Sequence, residues 1–163
     1  MNENLVALEI SASSDEFDIN FEAELLSAVN CVYQLYGNEE QVSVALFVCD
    51  DAEIQALNLG FRGVDKPTDV LSFYADVQDP ESGLVMLGDI VISFPTASRQ
   101  AIQHNHPLSH EFVLLTVHGM LHLLGYDHAT DDEESQMWAL QKFVFEQLGL
   151  AINLQPGEAY DQE

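Results

Sequence analysis

The segment Thr116-Val117-His118-Gly119-Met120-Leu121-His122-Leu123-Leu124-Gly125-Tyr126-Asp127-His128 carries three of the six histidines of the chain. In a helix, His118 and His122 leave the same face one turn apart. Gly125 permits the left-handed conformation that ends a helix and turns the chain back toward that face. His128 arrives three residues later. Three neutral imidazoles converging on one point, with the rest of the shell open, form the ligand set of a catalytic rather than a structural zinc site. The bland alternative is a core helix with chance histidines, but buried imidazoles need hydrogen-bond partners, and a metal removes that cost.

Outward from this segment, Leu108 to Leu124 is apolar almost all round and reads as a buried helix. Downstream, Thr130 and Glu133 form a capping box that starts a last helix running to Gly149. Upstream, Leu5–Ile10 reads as a strand, and Phe21–Tyr36 as a helix capped by Asn20 and stopped by Gly37. Gln41–Cys49 is the strongest strand in the chain. Asp50 with Glu53 starts a short helix to about Leu59, followed by a loop from Phe61 to Asp69. Val70–Tyr74 and Leu84–Phe94 read as a hairpin around a polar turn, the second strand broken near Gly88. Pro95 suits the first turn of a helix from about Thr96 to Asn105.

At 163 residues the chain fits one domain, expected over residues 1–150 with an acidic tail at 151–163. The two cysteines, Cys31 and Cys49, have no Cys-x-x-Cys spacing and read as reduced, packed thiols. No apolar run approaches the ~20 residues a bilayer needs, so the expectation is a soluble, cytoplasmic protein with no membrane partner. Twenty-eight acidic residues against four basic ones give a net charge of −24. Such a chain repels polyanions at long range, so a nucleic acid must be captured locally or delivered by a basic partner. The commoner reading of the excess is solubility.

The histidine spacing matches the ligand part of the metzincin pattern His-Glu-x-x-His-x-x-Gly-x-x-His, but position 119, where the protease holds its general base, is glycine. A standard peptidase mechanism therefore needs a base from elsewhere. Asp127 reads equally as an orienting or basic group beside the third histidine and as a turn residue. Arg62 offers a fork for phosphate, while its local context first suggests a surface pair with Asp65 or Asp69. His104, His106 and His110 lack ligand spacing to the main trio and read as polar surface residues, as do Arg99 and Lys142.

The stretch from His118 to His128 resembles the signature of the YbeY family of bacterial ribosomal RNA maturation endoribonucleases. Leu57-Asn58 with Phe61-Arg62-Gly63, then Pro67-Thr68-Asp69-Val70-Leu71-Ser72-Phe73, is similar to the family's arginine segment and following strand; Leu87-Gly88-Asp89-Ile90 and Asp131-Asp132-Glu133 also agree. The resemblance implies a single α+β domain with a central mixed sheet of about four strands packed with helices. It also implies one zinc per chain on His118, His122 and His128, and Arg62 as a functional residue. The implied activity is metal-dependent cleavage of single-stranded RNA in maturing the 3′ end of small-subunit ribosomal RNA and in ribosome quality control. The rival is a non-catalytic, metal-stabilised assembly module binding basic ribosomal proteins or small-subunit assembly factors, motivated by the charge.

Overall fold

Val42–Cys49 (β2) alternates buried and half-buried residues, the pattern of a strand with one face in the main core, and the sheet is built on it. A computed structural model describes residues 4–152. Val6–Ala12 (β1) runs parallel to β2, and β2 parallel to Val85–Ser93 (β4). Val70–Gln78 (β3) closes the four-stranded mixed sheet antiparallel to β4, in the order β1-β2-β4-β3. The parallel β1–β2 pair requires a crossover, supplied by the helix Glu22–Tyr36 (α1). The α+β, single-domain expectation with about four strands holds.

Val42, Val44, Leu46 and Val48 enter the main core with Leu25 and Val29 of α1 and Leu114 and Leu115 of Leu108–Leu123 (α4). A smaller cluster of Cys49, Ile54, Leu71 and Val91 seats the helix Asp51–Arg62 (α2). Helix α4 is buried from Glu111 to Leu121, as its apolar sequence requires. The helix Phe94–Gln103 (α3) starts with Pro95 in its first turn, and Asp131–Gln147 (α5) begins at the Thr130–Glu133 capping box.

Several boundaries differ from the sequence expectations. Asn20 does not cap α1; Phe21 occupies that position, its buried ring 5.2 Å from that of Phe112, so packing rather than a side-chain cap sets the entry. Helix α2 continues past Leu59 to Arg62 and ends at Gly63, at φ 72°. The Asn58 side chain donates to Lys66 O at 2.9 Å and ties the following segment back onto the helix. Strand β3 extends to Gln78 because a shift in register between Tyr74 and Val77, with Asp76 at φ 56°, absorbs the irregularity without ending the pairing. Strand β4 is likewise continuous through Gly88. The expected tail lies, from residue 153 onward, outside the described residues.

Two glycines set how closely layers approach. A Cβ on Gly88, at φ 151°, would lie 2.1 Å from the Phe73 carbonyl oxygen; one on Gly119 would lie 2.9 Å from Ile90 Cγ2 and 3.1 Å from Ser72 Oγ. Gly119→Ala should therefore cost about 1–3 kcal/mol in urea unfolding by overpacking. Gly88→Ala, which meets backbone, should cost more than about 4 kcal/mol or prevent folding.

Candidate metal centre

Helix α4 ends where Tyr126 N–H donates to Leu121 O and Gly125 N–H to His122 O, both at 3.0 Å, with Gly125 at φ 101°. This is the paired closure of a Schellman turn. It returns the chain toward the helix face bearing His118 and His122. The three rings converge: centroids of His118 and His122 are 4.6 Å apart, His122 and His128 5.2 Å, His118 and His128 5.4 Å. One ring nitrogen from each lies within 4.8 Å of those of the other two.

The nitrogens are prepared to accept a cation. His118 is fully buried, and its Nδ1–H donates to Gln141 Oε1 of α5 at 2.8 Å, which turns its Nε2 lone pair inward. His118 and His122 then oppose each other Nε2 to Nε2 at 3.0 Å. The Nε2 of His128 is buried with no hydrogen-bond partner among the described residues. Burial, then the charge of His122, holds His118 well below the usual imidazole range, the Gln141 bond opposing. Burial, then His128, lowers His122, and Arg62 contributes in the same direction while Asp127 opposes. Neutral imidazoles with one orphaned nitrogen are the donor set a divalent transition ion requires, and the residues fit such an ion.

The triad opens on a cavity of about 280 Å³ whose walls include Arg62, Ser72, Tyr74, His122, Asp127 and His128. Arg62 reaches it from the last turn of α2, not from a loop, and forms no ion pair among the described residues. Neither expected partner takes it: Asp65 accepts from Gln55, and buried Asp69 accepts from Val70 N–H and Gln100. Asp127 is exposed on the cavity wall and accepts from His128 N–H at 2.8 Å, so it shapes the turn while also lining the opening. Arg99 pairs with Asp51 at 2.8 Å, well away from these walls.

Two features escaped the sequence. Gln141 is the orienting partner of His118; its only trace was a polar residue on the buried stripe of α5 beside Met137 and Val144. His104 and His106 are not surface residues as expected. They are largely buried and both donate to Oε1 of the fully buried Glu111, at 2.8 and 2.7 Å, because Pro107 turns the α3–α4 connection back over the first turn of α4.

The fold and site are those of a metal-binding α+β domain with an open three-histidine centre beside an arginine. The profile of the family described as Endoribonuclease YbeY matches residues 8–149, and the chain belongs to that family. It is 43% identical over 154 residues to the endoribonuclease YbeY of Moorella thermoacetica, covering 88% of this chain and 99% of the relative. It is 39% identical over 149 residues to that of Mycolicibacterium smegmatis, covering 87% and 83%. The solution structure of TM1509 from Thermotoga maritima matches with a TM-score of 0.56 at 27% identity, covering 88% of both chains. The enzyme class and metal-binding character expected from the sequence, a metal-dependent endoribonuclease, are those of this family.

In metal-free protein, His118 refuses the proton that an unfolded histidine takes up near its ordinary pKa of 6.5. Its contribution to stability should therefore fall as pH drops below about 6.5, by up to about 1.4 kcal/mol per pH unit. Asp69, pushed up to about 7 mainly by burial, moves stability the opposite way with pH. The check is thus the difference between chelated wild type and His118→Gln in urea unfolding across this range: wild type should lose more stability on acidification.

Proposed function

We propose that this chain is a cytoplasmic, single-strand-specific endoribonuclease. In this reading it holds one zinc ion on His118, His122 and His128 and uses Arg62 at the scissile phosphate. Its substrate would be small-subunit ribosomal RNA at the 3′ end, with a further part in ribosome quality control. The observation that carries this is the juxtaposition of an arginine, unpaired among the described residues, with the open side of the histidine cluster in one cavity.

A zinc ion bound there supplies Lewis-acid polarisation of a phosphoryl oxygen. The remaining work falls to the chain. Arg62, unengaged by any carboxylate among the described residues, presents its fork to the phosphate and stabilises charge developing at phosphorus. Gln141 keeps the His118 proton on Nδ1 and its Nε2 aimed at the centre. The general base of the metzincin pattern is missing because Gly119 packs against Ile90 and Ser72, where no glutamate fits. RNA does not need that base to the same degree, since its 2′-hydroxyl is an internal nucleophile; water is the other candidate. Exposed Tyr74 at the rim, 66% accessible, suits stacking against an unpaired base.

No helix among the described residues is long and apolar enough to cross a membrane. The net charge of −24 favours basic ribosomal proteins or small-subunit assembly factors as partners that bring the acidic chain to RNA. We further infer that residues 1–150 act as one domain.

Purified protein incubated with labelled single-stranded RNA should cut it. Arg62→Glu and His118→Ala should each lower the rate about 100-fold or more, and chelation should abolish it. Equal cutting by all preparations would contradict the proposal. Metal analysis should show zinc lost from the triad when two of its histidines are replaced.

A further inference from the structure

The buried carboxylate of Glu111 centres a second cluster of metal-ligating groups among the described residues. Oε1 receives His104 Nδ1 and His106 Nε2, while Oε2 is buried with no hydrogen-bond partner among the described residues. The three ligand atoms lie within 4.8 Å of one another, as do those of the main triad. Glu111 is fully buried, whereas the His104 and His106 side chains remain 12% and 8% accessible.

Charge balance strengthens the case. Asp69 is also buried, and after burial itself and its hydrogen bonds the carboxylate of Glu111 raises it further. No lysine or arginine pairs with either acid among the described residues. Asp69 accepts from Val70 N–H, Thr68 Oγ1 and the Gln100 amide, and Glu111 from the two histidines. A buried carboxylate with one oxygen unpartnered among the described residues is costly, and a cation on an oxygen–imidazole set offsets that cost.

We propose that His104, His106 and Glu111 form a second, structural site for a divalent transition ion of the zinc type. Two imidazoles and one carboxylate are a donor set zinc accepts, with the fourth position left to water. On binding, the ring protons now directed at Glu111 move to the opposite nitrogens, so each histidine ligates in its neutral form. The ion clamps the end of α3 and the α3–α4 turn to the first turns of α4. Glu111 precedes His118 by seven residues, about 10 Å along the helix, so the two ions are not a bridged pair of the kind spaced about 3.5–4 Å apart.

The test counts metal on the full-length chain, stripped with chelator, equilibrated with zinc and dialysed. Wild type should hold two zinc ions per chain, His104→Ala/His106→Ala one, and His118→Ala/His122→Ala one. The quadruple variant should hold none, circular dichroism reporting that each is folded. Should alanine at both rings unfold the chain by stranding the carboxylate, Glu111→Gln keeps the shape and should also hold one. A His118→Ala/His122→Ala protein with no zinc overturns the proposal, as does a wild-type count of one that is unchanged in His104→Ala/His106→Ala. A count of one, lost only with His104 and His106, would instead uphold this site and contradict the triad.

Discussion

Helix α4 lies directly on the β3–β4 hairpin at Gly119, with no room between them for a side chain. Ser72 Oγ donates to the Gly119 carbonyl at 3.0 Å, and the Ile90 side chain fills the space a Cβ would need. The same contact decides two things. It seats the helix low enough that His118 is buried against α5, and it excludes the carboxylate that a zinc peptidase carries at that position. The chemistry open to the site is therefore limited by packing before any substrate is considered. An internal nucleophile or water, a cation and an arginine remain, and these suit a phosphodiester better than an amide.

Electrostatics follow from that burial. An overall charge of −24 opposes RNA at a distance. Within the cavity, however, the groups facing an incoming phosphate are imidazoles and a guanidinium unpaired among the described residues, with Asp127 as the single acid on the wall. A cation held by the triad makes the local field positive on a negative molecule. That local sign is opposite to the charge of the chain as a whole.

The sequence showed what depends on local spacing. His118, His122, Gly125 and His128 could be placed on a helix and its return because one turn, one left-handed residue and one short connection define their relation. Both capping boxes, Asp50–Glu53 and Thr130–Glu133, were legible for the same reason. What was not legible depended on tertiary neighbours. Arg62 could not be freed from Asp69 until that carboxylate was seen accepting from Val70 and Gln100. His104 and His106 looked like surface polar residues because nothing local says that Pro107 folds them onto a buried glutamate. Gln141 lies 23 residues from the histidine it orients, and only the docking of α5 brings them together.

The most direct test of the central claim is a long-range proton–nitrogen spectrum of the histidine side chains, taken before and after zinc is added to chelated protein. Before zinc, His118 should show a neutral ring with its proton on Nδ1, held by Gln141. After zinc, the Nε2 signal of His118 and one ring nitrogen each of His122 and His128 should move together to metal-bound positions, while the Nδ1 proton of His118 stays in place. Rings of His118, His122 and His128 that are unmoved by zinc would contradict the account.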